Sequence, residues 1–120
     1  MIERDLKKRT KRFALEVIRF IEAVPRDESS RILARQLLRA GTSVGANYRS
    51  ACRAKSNADF LNKMGTVEEE ADESGYWLEL LREAGKVSEA KAAPLLQEAS
   101  ELVAITVASI NTARHSGGRP

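Results

Sequence analysis

Residues 37–81 read LLRAGTSVGANYRSACRAKSNADFLNKMGTVEEEADESGYWLELL. Gly41 and Gly45 stand four apart near the start of this stretch, with Thr42, Ser43 and Ala46 around them, and no proline falls between Ser29 and Asn57. On one helix the two glycines share a face. Each costs up to about 1 kcal/mol relative to alanine in a helix interior. A pair at this spacing therefore implies another helix packed close, where a missing side chain admits the neighbour's backbone. The competing reading is a break near Ser43. The absence of proline favours a continuous helix, straight or bent.

Working back from the glycines, Ser29 or Ser30 is expected to cap this second helix, which should run to about Lys55. Leu33, Leu37, Gly41, Val44, Tyr48, Ala51 and Cys52 make its apolar face, so Tyr48 and Cys52 are expected to be at least partly buried. At 100° per residue, Arg31, Arg35, Arg39, Arg49 and Arg53 fall in an arc of about 80° opposite that face, along roughly 33 Å. No acidic residue lies between Arg31 and Arg53. Ordinary solvated helix faces mix signs, so the stripe is a candidate phosphate-binding surface. Its competitor is pairing with acids of the next helix.

Ser56 and Asn57 form the following turn, with Asn57 the expected cap and a third helix from about Ala58 to Ala84. Phe60, Met64, Val67, Ala71, Leu78 and Leu81 make its core stripe. Glu68, Glu69, Glu70, Asp72 and Glu73 follow closely and could neutralise the arginines. A carboxylate-bridged metal pair would need Glu-x-x-His on two helices. The only histidine is His115, outside the expected bundle, so no metal site and no cofactor is expected. Tyr76 and Leu80 lie off the core stripe beside Trp77, which marks a candidate subunit contact.

Upstream, a first helix is expected from about Asp5 to Val24, with Leu6, Phe13, Val17, Phe20, Ile21 and Val24 on one face. Lys7, Lys8, Arg9, Lys11 and Arg12 crowd its first half, against the macrodipole. That cluster is either a solvated face or an extension of the basic surface through Lys8 and Arg12. Pro25, Arg26 and Asp27 make the first turn. Downstream, Gly85 suits the position that ends a helix, and Ser88 can start the next segment. Pro94 cannot sit deep in a helix, so regular helix four is expected to begin near it, with Ser88 to Ala93 a separate turn. Leu95, Ala99, Leu102, Val103, Thr106 and Ile110 form its core stripe, flanked by Ile105 and Val107. Residues 1–114 then form the bundle, and 115–120 a flexible C-terminal tail.

The chain as a whole has 120 residues, 42% hydrophobic, 31% charged and only 5% aromatic, with a net charge of +3, which suits one helical domain. Net charge is too small to argue for a polyanionic partner, so charge placement must. No apolar run is read as long enough to span a bilayer, and the N-terminal charges have no secretion-signal core behind them, so a cytoplasmic protein without a membrane is expected. Cys52 is the only cysteine, which excludes an intrachain disulfide. Four helices joined by short turns make an all-α, antiparallel up-down four-helix bundle.

Ser43-Val44-Gly45-Ala46-Asn47, Arg53-Ala54-Lys55-Ser56, Asp59-Phe60, the acids from Glu68 to Glu73 and Tyr76-Trp77-Leu78-Glu79-Leu80-Leu81 resemble the family named after the 23S ribosomal RNA intervening-sequence protein. The resemblance covers helices two and three and implies the four-helix fold. Through a related accessory protein of diversity-generating retroelements, it also implies a basic pentameric barrel that binds nucleic acid. This chain departs from many members in carrying Arg49, Ser50 and Arg53 where they have an acid. The expected function is non-enzymatic: an oligomer, a pentamer on the resemblance, that binds RNA or DNA through Arg31, Arg35, Arg39, Arg49, Arg53, Lys8 and Arg12. Its subunit interface is expected at Tyr76, Trp77, Leu80 and Ile105. The alternative is an oligomeric adaptor for a protein such as a reverse transcriptase or polymerase. No Gly-rich phosphate loop is present, and no histidine inside the bundle could activate Cys52 or a serine. Scarce aromatics weigh against base stacking.

Overall fold

Helix signals in the chain resolve into four helices: α1 (Ile2–Glu22), α2 (Glu28–Ala51), α3 (Asn57–Glu83) and α4 (Glu89–Gly117). The computed structural model describes residues 2–117, with side chains from Leu6 to Ser116. Consecutive helices pack side by side, and α4 returns to α1 along the thinnest seam of the bundle. This is the antiparallel four-helix arrangement expected from the short connections. The molecule measures 55 × 21 × 20 Å.

The core follows the expected stripes. Phe13, Val17, Leu37, Val44, Met64, Val67, Leu78, Leu81 and Leu102 are all fully buried, and Tyr48 is nearly so. Helix α2 is continuous through both glycines. A Cβ on Gly41 would stand 2.9 Å from Val17 Cγ2, and one on Gly45 would stand 3.1 Å from Thr10 Oγ1. Both glycines therefore admit α1, as their spacing implied.

Several boundaries differ from the sequence reading. Asp27, not Ser29 or Ser30, caps α2: its Oδ2 accepts from Ser30 N at 3.3 Å. The carboxylate also accepts from Ser30 Oγ at 2.7 Å, Ser29 Oγ at 3.0 Å and Lys86 Nζ at 3.0 Å, which a serine oxygen could not do. Ser56 caps α3 by accepting from Asp59 N at 3.0 Å, while Asp59 Oδ2 accepts from Lys55 N, one residue before the cap, at 3.1 Å. Asn57 is thereby freed to donate to the Ala113 carbonyl near the end of α4, at 3.2 Å.

Helix α2 ends at Ala51, four residues short of expectation, because the Cys52 to Ala54 amides turn into a tight connection. Cys52 is therefore exposed, against the expectation of burial. Gly85 has φ 76° and closes α3 in a Schellman motif, with Lys86 N bonding Leu81 O at 2.9 Å and Gly85 N bonding Arg82 O at 3.0 Å.

Helix α4 begins at Glu89, before Pro94. Ser88 accepts at its Oγ from Lys91 N at 3.2 Å, and its carbonyl accepts from Ala92 N at 3.1 Å. The donor that Pro94 lacks would serve Ala90, and both residues lie at the surface, where the carbonyl is open to solvent. The helix also runs through His115 to Gly117, past the boundary set for the tail, whose last three residues lie outside the described range. By length and mean hydropathy alone α4 could span a bilayer, contrary to the sequence reading. Here its Leu95–Ala99–Leu102–Thr106–Ile110 stripe is buried in the bundle core, and Glu98 and Glu101 hold α1.

The Asp27 cap gives a pH prediction. Its partners, Ser30 first and Lys86 next, hold the carboxyl well below the usual carboxylate range. A lowered folded-state pKa stabilises above the unfolded value, near 4, and that stabilisation is lost as pH falls toward the folded value. Thermal melts of the native chain should drop in Tm below about pH 4. Asp27→Ala should lower Tm at neutral pH and shrink the gap from the native chain in acid. A constant gap across that window would contradict this account of the cap.

Candidate nucleic-acid interface

Charge is divided unevenly between the two sides of the bundle. Helices α1 and α2 contain eleven lysines and arginines against five acids; α3 and α4 contain four against eleven. A polyanion would be drawn to the α1/α2 side.

The arginine stripe is not laid out as one continuous row. Arg39 crosses to α3, where it bonds Glu70 at 3.3 Å and Glu73 more closely. Glu73 is the main cause of the raised Arg39 pKa, whereas burial keeps the Glu70 carboxyl above its usual range despite the arginine. The competing structural account is thus correct for this residue. Arg31 and Arg35 are exposed on the first half of α2, more than two turns from Arg49. Arg53 lies beyond the end of the helix, in the turn after Cys52.

Another grouping forms instead. Two adjoining depressions share Lys7, Ala46 and Arg49. One continues to Lys8, Lys11, Thr42 and Gly45, the other to Ser50, Arg53 and Lys63. Together they form a furrow across α1, the C-terminal end of α2 and the start of α3, with no carboxylate in its lining. Lys63 shares its charge with Asp59 at 3.3 Å. Among the described residues, Lys7, Lys8, Lys11, Arg49 and Arg53 make no ion pair. The two glycines that bring α1 against α2 set these rows side by side.

Of the expected binding residues, the furrow contains Lys8, Arg49 and Arg53. Lys7, Lys11 and Lys63 join from other helices. Arg12 is turned toward α4, where it lines a separate cleft with Glu16 and Glu98. Arg9, next to the furrow in sequence, is spent on structure: its Nε and Nη2 bond Glu98 at 2.6 and 3.0 Å, and Nη2 also bonds Glu101. The Glu98 hydrogen bond raises its pKa further.

The expected subunit contact is also regrouped. Tyr76 is 52% exposed and packs edge-on against Trp77, with ring centroids 5.1 Å apart. Trp77 is half-buried, and its indole N–H is buried without an acceptor among the described residues. Leu80 is half-buried beside them on α3. Ile105 does not join this group. It lies two turns after Glu98 on the side of α4 that meets α1, and packs against the core.

Ile32, given no role from sequence, takes its place. It precedes Arg39 by two turns, as Trp77 and Leu80 follow Glu70 and Glu73 by two turns. Because Arg39 pairs with both acids across antiparallel helices, Ile32 falls level with Trp77 and Leu80. Ile32 is 50% exposed, so an apolar patch of Ile32, Tyr76, Trp77 and Leu80 lies on the α2/α3 side. The sequence signal was an isoleucine on the arginine side of α2. A second exposed pair, Leu15 and Ile18, lies on the outer side of α1.

A family model described as 23S rRNA-intervening sequence protein matches residues 3–108. A crystal structure of a protein of unknown function from the S23 ribosomal protein family of Bacteroides thetaiotaomicron is similar at 30% identity. It covers 92% of this chain and 99% of its own, with a TM-score of 0.86. No curated protein matches the chain at a significant level.

Proposed function

The chain belongs to the 23S rRNA-intervening sequence protein family, and from that premise we propose that it is a non-enzymatic bundle that binds the phosphate backbone of RNA or DNA through the α1/α2 furrow. One observation carries this reading: Lys7, Lys8 and Lys11 of α1, Arg49 of α2 and Arg53 of the following turn converge on a surface lined by no carboxylate, while Arg9 and Arg39 are paired. Structural cations acquire partners; these five have none among the described residues. The test is co-purification of the chain with and without nuclease treatment. Nucleic acid should travel with the untreated protein and be lost at raised salt. A preparation free of nucleic acid that also retains none on a low-salt filter would count against the proposal.

The patch around Ile32 and Tyr76 favours a second element of the reading, that the chain is a homo-oligomer. Its α3 edge is acidic, with Glu69, Asp72 and Glu79, and its α2 edge is basic, with Arg31 and Arg35; Leu15 and Ile18 are flanked by Lys11, Arg19 and Glu22. Two exposed apolar patches on different sides of one bundle, each edged by charges of both signs, suit contact between copies. Tyr76→Arg should move the light-scattering mass toward that of a monomer at tens of micromolar, because it forces a charge into a desolvated contact. A native chain already monomeric under those conditions would leave the patch to a different protein, the adaptor reading.

A further inference from the structure

We infer that the furrow is matched to double-stranded nucleic acid in preference to single strands. The inference rests on the nucleic-acid reading above and specifies its substrate. Single-strand binders combine cations with aromatic side chains on which bases stack, and those platforms contribute much of the affinity. Here no aromatic residue lines the furrow. Phe13 and Tyr48 are buried, and Phe20 and Phe60 pack against the core. Trp77 is half-buried, and the exposed Tyr76 stands on α3 among Glu69, Asp72 and Glu73, away from the cations. Splayed bases would find no stacking surface in the furrow.

What the furrow offers is charge in fixed positions. Lys7 and Lys11 stand one turn apart on α1, about 6 Å along its axis. Arg49 and Arg53 stand beside them at the end of α2. The tight glycine contact between the helices holds the two rows in register. Such an array gains most from the ligand with the densest and stiffest phosphates. A duplex carries about one charge per 1.7 Å of axis and returns more counterions per contact than a single strand. It also has less conformational freedom to lose on docking.

The experiment is a fluorescence-anisotropy titration of the full chain with a DNA duplex, an RNA duplex and the separate strands of each at equal length. Both duplexes should bind at least about threefold tighter than their strands at one ionic strength. Log–log salt slopes should be steeper for duplex, in a ratio near 0.9 to 0.7. Lys11→Ala should flatten the duplex slope by about one with Tm unchanged. Strands that bind as tightly as the duplexes, or more tightly, would overturn this inference and leave the nucleic-acid reading intact. Absence of binding to all four would remove both.

Discussion

Reversing two charges in the furrow, with Lys7→Glu and Arg49→Glu together, should weaken binding of RNA or DNA by on the order of a hundredfold at low salt. Each reversal removes a phosphate contact and places a carboxylate against the same backbone. The two residues belong to both halves of the furrow, so no part of it escapes. The fold should tolerate the change, since both side chains are exposed and neither is in an ion pair among the described residues. Arg39→Ala is the contrasting case. It breaks the link between α2 and α3 and leaves Glu70 half-buried without its cation, so it should lower Tm and spare binding. The opposite allocation, Arg49 affecting Tm and Arg39 affecting binding, would mean that the furrow has been assigned to the wrong arginines.

Gly41→Val should destabilise the bundle by about 3 kcal/mol, at the upper end of ordinary overpacking. That corresponds to a fall of roughly 10 °C in Tm for a domain of this size. The added Cβ alone would stand 2.9 Å from Cγ2 of Val17, a stiff and fully buried side chain that cannot rotate away. Relief requires α1 to move outward, which separates the rows of the furrow, so binding should weaken in the same variant. Gly65→Ala provides the control. It lies within α3, and a Cβ there meets nothing within 4 Å. It should gain up to about 1 kcal/mol from helix propensity alone. A silent Gly41→Val in a thermal melt would show that α1 does not approach as closely as described.

The bundle was legible in the sequence because its stripes repeat at helical spacing and few breakers interrupt them. Leu37, Val44, Met64, Val67, Leu78 and Leu102 are in the core where periodicity placed them. The glycine pair also predicted its own contact. The site was less legible. Projecting the arginines on one ideal helix treated Arg53 as part of α2, but the chain leaves the helix at Ala51. That same early end carried Cys52 out of the apolar face. No spacing within a single helix could show that Lys7, Lys11 and Lys63 would stand beside Arg49, because this depends on register between helices. The register also decided Arg39, which two carboxylates claimed, and the apolar patch, from which Ile105 is excluded and to which Ile32 is added.

Phosphate binding by the unpaired cations of the furrow is tested most directly by the salt dependence of binding, compared between the native chain and Arg49→Ala in one filter-binding series. The account predicts a linear log–log plot with a slope of about −4 to −5 per protomer for the native chain, from five unpaired cations at about 0.9 each. Arg49→Ala should flatten that slope by about one and leave Tm unchanged. No retention of RNA, duplex DNA or single-stranded DNA at low salt, or an unchanged slope with a lowered Tm, would contradict it.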